Sequence, residues 1–241
     1  MVEKTHLIVL HCTKYSESSL IIQAYTSKYG MQSFLLRNGG KAAGRVLFAH
    51  FHPLAIIEVV AYNSTKSTLM YIREYAVATR LDSLRSNIYK SNIAVFICEL
   101  LKKSLRSNEK DETIFNFLQQ SIVTLNALDD KFSNFHIFFT LSLATILGFK
   151  PTNNYSGEKP YFDMISANFT DKTNYNTITF SLFNSKAVHH LLSYNLEKIM
   201  GLELSGEQRY ELTKELLRYL EYHIDVKLEI KSHIVLHEVL H

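Results

Sequence analysis

The sequence has only two cysteines among its 241 residues, Cys12 and Cys98, and they lie in different segments. Neither has a second cysteine or a histidine at the spacing of a zinc finger, so the sequence encodes neither a disulfide framework nor a zinc knuckle. It also lacks a long apolar run, because residues 137–149 fall short of the ~20 residues that cross a bilayer. The apolar residues 7–10 are too few for a signal peptide. We therefore expect a cytoplasmic protein.

Sequence signatures of several enzyme classes are also missing. Gly39, Gly40 and Gly44 do not follow the order of a phosphate-binding loop or of a dinucleotide-binding motif. The sequence has no GxSxG element, and Cys98 lies in an apolar helical pattern, where a thiol is usually an inert packing residue. We expect no catalytic residues, no cofactor and no enzyme activity.

One enzyme-like motif is present at the C-terminal end of the sequence. His237, Glu238 and His241 form HEVLH, which matches the HExxH pattern of zinc hydrolases, and His233 lies one helical turn earlier. A zinc hydrolase needs a rigid helix and a third protein ligand, whereas a terminal turn frays. A zinc hydrolase is therefore an alternative hypothesis, and we expect no metal.

Charge is distributed unevenly along the chain. The formal net charge is +3, but residues 1–90 hold eleven Lys and Arg against five Asp and Glu, a net +6, so the remainder carries −3. A basic front half indicates contact with a polyanion, although chance asymmetry on a solvated surface would look the same.

The hydrophobic pattern predicts an α+β protein. Apolar residues alternate with period two in five runs, at residues 8–12, 20–24, 31–37, 54–61 and 69–75. Five short strands with a wide third connection favour an N-terminal OB-like barrel, and an SH3-like barrel would give a similar pattern. We assign residues 1–80 to this OB-fold DNA-binding domain. Residues 81–241 form the predicted all-helical domain, with an irregular insertion at about 151–184.

Helix signals from residue 86 onward support that division. The predicted helix starts are Ser86, Asp111, Ser133, Ser185 and Ser205. Gly148 is expected to end the third helix, and Gln208 to complete a capping box with Ser205. The fourth helix is expected to run to Gly201, after a short hairpin at about residues 178–182.

The most informative segment for binding is FLLRNGGKAAGR, residues 34–45. Arg37, Lys41 and Arg45 recur every four residues among small residues without an intervening acid, as suits a loop that contacts phosphates. Lys14 and Lys66 lie in the two connections that flank the binding groove of an OB barrel. Five aromatic residues lie nearby, of which we expect one or two to reach solvent and the rest to fill the barrel: Tyr15, Phe48, Phe51, Tyr62 and Tyr71.

Several segments resemble one family along nearly the whole chain. They are KTHLIVLHCTKYSESSLIIQAYTSKYG, SFLLRNGGK, IYKSNIAVFICELLKKSL, NFHIFFTLSLATILGFKP, YFDMISANF and KSHIVLHEVL. Together, in this order and spacing, they resemble RecO, a family of bacterial DNA repair and recombination proteins.

The resemblance implies a recombination mediator that binds single- and double-stranded DNA and anneals complementary strands. It further implies help in loading RecA onto DNA covered by single-stranded DNA-binding protein, with that protein's acidic C-terminal tail and RecR as partners. The family's DNA-contacting basic residues match Arg37, Lys41 and Arg45, whereas Lys14 and Lys66 are added from barrel geometry. Candidates for the tail site, from the need for cations beside an apolar groove, are Lys102, Lys103 and Arg106.

The chain departs from the family in two respects. Many members carry a four-cysteine zinc module that residues 150–184 lack, and Gly39, Gly40, Ala42 and Ala43 stand where more cations are common. The resemblance is therefore to the zinc-free members, with DNA affinity that is modest or spread over both domains. An OB-fold RNA-binding factor is a further alternative.

Overall fold

A computed structural model describes residues 2–16, 19–37, 49–63, 69–105, 110–171 and 177–240. The chain divides into two compact units, Met1–Ala127 and Leu128–His241. The first contains every described strand of the barrel together with three helices. The predicted boundary at residue 80 follows the last barrel strand, and the assignment of 1–80 and 81–241 as domains stays a prediction.

The first unit begins with a closed barrel of five strands. The strands are β1 (Val2–Ser16), β2 (Ser19–Thr26), β3 (Gly30–Arg37), β4 (Ile56–Asn63) and β5 (Met70–Val77). Neighbours around the barrel follow the order β1-β2-β3-β5-β4, and β4 pairs with β1 to complete the circle. All pairs are antiparallel except β3 with β5. The predicted barrel followed by helices is confirmed.

Closure depends on one long strand and one short pairing. β1 pairs with β4 from Val2 to Ile8 and with β2 from Leu7 onward, with an irregularity after Val9. Such a bulge bends a strand and increases its twist, which lets β1 serve two neighbours. On the other side, β3 and β5 share three residue pairs, from Phe34↔Met70 to Leu36↔Ile72.

Alternation along the strands places one set of side chains inside the barrel. The buried cluster is Leu7, Val9, Leu20, Ile22, Ala24, Phe34, Leu36, Phe51, Ala55, Ile57, Val59, Ala61, Met70 and Ile72. Phe51 precedes β4 and packs against Tyr75, with ring centroids 5.1 Å apart. The residues between these positions face outward, and they include those considered below for binding.

Three helices complete the first unit: α1 (Asp82–Ser86), α2 (Ile88–Ser104) and α3 (Glu112–Ala127). The predicted cap at Ser86 is wrong, because the Asn87 side chain accepts hydrogen bonds from the backbone N–H groups of Tyr89 and Lys90. Asp111 caps α3 as predicted, since its carboxylate accepts from the backbone N–H of Ile114.

The second unit is mainly helical. Its elements are α4 (Phe135–Ile146), β6 (Tyr161–Asp163), β7 (Asn168–Thr170), α5 (Leu182–Ser193), α6 (Leu196–Met200), α7 (Gly206–Ile224) and α8 (Ser232–Val239). The capping box of Ser205 and Gln208 is confirmed, and Gly148 follows α4 with a φ of 95°, which favours glycine. The single helix predicted from Ser185 to Gly201 is wrong: it begins at Leu182 and is interrupted before Asn195, which caps α6.

The region predicted as an irregular insertion contains a short hairpin, β6–β7, rather than the one expected at residues 178–182. Thr179 adds an isolated bridge to Asp163. Phe162 lies in ring contact with Phe169, Phe180 and Tyr219, at centroid distances of 5.2, 5.1 and 5.6 Å. The insertion is therefore held by an aromatic cluster.

Burial of one histidine predicts a pH-dependent stability. Burial, with Arg209 nearby, lowers the pKa of His136 from 6.5 to about 3. Below pH 6.5 the unfolded chain binds a proton that the folded chain does not, so stability present at neutral pH is lost as pH falls towards 3. From pH 7 to pH 5 this residue should cost about 2 kcal/mol of unfolding free energy.

Urea denaturation at both pH values measures this loss. His136→Gln should show a smaller decrease between pH 7 and pH 5 than the wild type. His189→Gln, in the same unit, should keep the wild-type dependence. Equal pH dependence in His136→Gln and the wild type would contradict the assignment.

Candidate nucleic-acid interface

Three strand ends meet at one edge of the barrel. Because Leu35 pairs with Tyr71 and Tyr71 pairs with Tyr62, the end of β3, the start of β5 and the end of β4 are neighbours. Segment 38–48 follows Arg37 at the end of β3, and segment 64–68 connects the end of β4 to the start of β5. They contain Lys41, Arg45 and Lys66, which lie outside the described residues.

Arg37 is the last residue of β3 and is exposed at this edge. The carbon of its guanidinium group lies 5.4 Å from the centroid of the Tyr71 ring. A guanidinium over an aromatic face is held by the ring quadrupole while its N–H donors stay available. Arg37 is thus positioned and still able to contact a phosphate.

Lys14 lies at the same end of the sheet. It pairs with Leu20, and Leu20 pairs with Leu36, the neighbour of Arg37. Two strand spacings correspond to about 10 Å along the sheet. The structure therefore brings the strand positions of two predicted basic residues together.

The described carboxylates of the barrel are already paired. Lys4 contacts Glu58 at 2.8 Å, Lys28 contacts Glu3 at 3.5 Å and Arg73 contacts Glu74 at 3.4 Å. Hydrogen bonds lower the pKa of two of these acids, from Tyr29 to Glu3 and from Lys4 to Glu58. Among the ion pairs of the described residues, none uses Lys14 or Arg37.

Of the five aromatic residues singled out above, four are described. Tyr15 and Tyr62 are 67% and 37% exposed, Tyr71 is half-buried, and Phe51 is buried in the core. Phe48 lies outside the described residues. The amino-acid sequence identified these aromatic residues individually, but it could not show that Tyr62 and Tyr71 stack on each other, with ring centroids 5.5 Å apart.

A separate groove of about 460 Å³ lies between β1 and α2. Its lining is mostly apolar: Val9, Leu10, His11, Cys12, Phe51, His52, Pro53, Val95, Cys98, Glu99 and Lys102. Lys102 therefore has the predicted position of a cation beside an apolar groove. Lys103 shares the last turn of α2 but does not line the groove, and Arg106 lies outside the described residues.

His237 of the HEVLH motif and His233 one turn before it are engaged in other contacts, and His241 lies outside the described residues. His237 lies 3.6 Å from the carboxylate of Glu207, and the rings of His233 and His237 pack on Tyr210 at 5.4 and 4.5 Å. Within the described ranges, no three side chains are arranged to hold a metal ion. The described part of the motif thus makes helix-packing contacts.

Comparison with known proteins agrees with a barrel followed by helices. A family model described as Recombination protein O N terminal matches residues 1–80, and one described as Recombination protein O C terminal matches residues 85–159. The chain belongs to the RecO family of DNA repair proteins. The first RecO model spans every strand of the barrel and the second spans α2, α3 and α4.

Individual RecO proteins support this membership. The chain is 30% identical to DNA repair protein RecO of Azobacteroides pseudotrichonymphae over 219 residues, and 32% identical to that of Flavobacterium psychrophilum over 220 residues. Both alignments cover 91% of each chain. The RecO of Bacteroides fragilis is 35% identical over 170 residues, covering 70% of each chain.

No helix in the described part of this RecO-family chain is long and apolar enough to cross a membrane.

The two thiols lining the groove should react slowly. Burial raises the pKa of Cys12 to about 11 and that of Cys98 to about 12, and the Cys98 thiol donates to the carbonyl of Val9. Because the thiolate is the reactive form, alkylation of Cys12 at pH 8 should be roughly 100-fold slower than that of an exposed cysteine. Mass spectrometry over time measures this rate, with urea-unfolded protein as the fast control. Native Cys12 reacting as fast as in urea would contradict the assignment.

Proposed function

We propose that the protein is a non-enzymatic recombination mediator that binds single- and double-stranded DNA and anneals complementary strands. It would act with RecR to assist RecA loading on DNA covered by single-stranded DNA-binding protein. The observation that carries the proposal is the end of the barrel where Arg37 is exposed and the strand position of Lys14 lies about 10 Å away. In the sequence, Lys41 and Arg45 follow this end of β3, and Lys66 lies between β4 and β5.

The cations at this edge suit binding to the phosphate backbone of DNA without recognition of its base sequence. Cations beside a strand edge neutralise phosphates and release counterions, and this supplies most of non-specific DNA affinity. The described carboxylates of the barrel are each engaged by a lysine, an arginine or a tyrosine hydroxyl. Arg37 and Lys14 are exposed and make no ion pair with these described carboxylates.

The same basic surface would also promote annealing of complementary DNA strands. Two strands that bind one basic surface are concentrated near each other, and their mutual repulsion is screened. Pairing between complementary bases then supplies the sequence specificity that the protein does not need to provide. No catalytic group is required for this role.

The proposed binding site for a partner protein is the groove between β1 and α2. An acidic peptide with apolar side chains, such as the C-terminal tail of single-stranded DNA-binding protein, fits an apolar groove that has a lysine at its rim. Lys102 is the described residue in that position, with Lys103 and Arg106 as further candidates nearby in sequence. RecR and RecA are proposed as partners on family grounds.

A salt titration tests the DNA site. If about five phosphates are neutralised, log K against log salt should have a slope of about −3.5 for a single strand. Arg37→Ala combined with Lys41→Ala should reduce that slope by about 1.4, because two phosphate contacts are lost. Fluorescence anisotropy of a labelled oligonucleotide measures both slopes.

The control for this titration is Lys186→Ala, an exposed lysine of the second unit, which should leave the slope unchanged. An unchanged slope in the double variant would reject the assigned site. Equal-length RNA serves as a competitor, and a clear preference for structured RNA over DNA at equal salt would favour the RNA-binding alternative.

A peptide titration tests the partner site. Binding of a labelled C-terminal peptide of single-stranded DNA-binding protein should weaken roughly tenfold in Lys102→Glu, because a cation that faces the acidic tail becomes an anion. Lys186→Glu makes the same charge change on the second unit and should bind like the wild type. Equal affinity in the two variants would remove Lys102 from the proposed site.

A further inference from the structure

Three side chains form a continuous ladder on the outside of the barrel. Tyr62 and Tyr71 are register partners on β4 and β5, and their rings are stacked at 5.5 Å with an angle of 21°. Arg37 continues the ladder on the other side of Tyr71, with 5.4 Å between its guanidinium carbon and the ring centroid. We call these three residues the ladder.

The ladder is not part of the barrel core. Ala61, Met70 and Ile72, next to the two tyrosines along the strands, belong to the buried cluster. Alternation therefore directs Tyr62 and Tyr71 to the outer face of the sheet. Tyr62 remains 37% exposed, and burial of the barrel interior does not account for its ring.

The row continues beyond Tyr62 as open apolar surface. Val2 is the register partner of Tyr62 on β1 and is 54% exposed. The ladder thus begins with a cation at the end of β3 and ends with a tyrosine ring beside an exposed apolar side chain. One end suits a phosphate and the other suits the flat face of a base.

We propose that the ladder, with Val2, is a stacking platform for unpaired bases and that it makes the protein prefer single-stranded over double-stranded nucleic acid. This inference rests on the proposed function of DNA binding. In a duplex the base faces are buried in the stack, so a duplex can use Arg37 but not the ring of Tyr62. A single strand can use both the cation and the ring.

Paired affinity measurements test the platform. Tyr62→Ala, in the full chain, should weaken binding of a 20-nucleotide oligothymidine between about 5-fold and 150-fold, the range for loss of one stacked base. Affinity for a 20-base-pair duplex should stay within twofold of the wild type. The salt slope should stay unchanged, because no phosphate contact is lost.

Matched variants separate stacking from other effects. Tyr62→Phe keeps the ring and should bind the single strand like the wild type. Tyr89→Ala removes a tyrosine that is 46% exposed on α2, away from the ladder, and should have no effect. Circular dichroism of each variant checks that the barrel is folded.

A spectroscopic reporter gives an independent readout. The sequence contains no tryptophan, so Tyr62→Trp introduces a single indole at the end of the ladder. Oligothymidine should quench its emission at low salt through stacking, whereas the duplex should leave it nearly unchanged. Unchanged emission on binding of the single strand would overturn the platform.

The outcomes distinguish the platform from the function on which it rests. If the wild type binds both forms of DNA with the expected salt slope but Tyr62→Ala binds like the wild type, the platform alone is wrong. If Tyr62→Ala loses single-strand and duplex affinity equally, the ladder contacts the backbone and base stacking is wrong. If the wild type binds neither form, the proposed function fails.

Discussion

The short parallel pairing of β3 with β5 is the constraint on which the binding edge depends. Only three residue pairs join the two strands, and they lie between the last part of β3 and the first part of β5. This contact closes the barrel and removes the free strand edges that would otherwise pair with another chain. It also places Arg37 over Tyr71 and brings the end of β3 next to the start of β5 and the end of β4. Its core-facing residues, among them Phe34 and Ile72, therefore serve both stability and binding geometry.

The strands could be predicted from sequence because apolar residues recur with period two along part of each strand, although residues 7–10 of β1 are all buried. The order of the strands could not, since alternation shows which residues point inward but not which strand lies alongside. For that reason Tyr62 and Tyr71 were recognised as aromatic residues near the basic loop but not as a stacked pair. The same limit applies to Lys14, whose place near Arg37 follows from pairing through β2.

Helix positions were predicted well where the sequence has one strong cap, as at Ser205. They were wrong where neighbouring polar residues compete, because Asn87 caps α2 in place of Ser86. The insertion at about 151–184 illustrates a different limit. Its polar composition predicted irregular structure, yet Phe162 makes ring contacts with residues both inside the insertion and on α7. Contacts between distant segments thus give this cysteine-free region an aromatic core.

Charge and stacking would make different contributions to the proposed annealing reaction. Cations attract any polyphosphate, so they concentrate single strands and duplex alike and cannot by themselves favour product release. An exposed ring adds free energy only while a base is unpaired. When two strands pair on the surface, their bases leave the ring of Tyr62 and the duplex keeps only phosphate contacts. A basic loop with few charges then becomes an advantage, because a weakly held duplex dissociates and frees the edge for another strand.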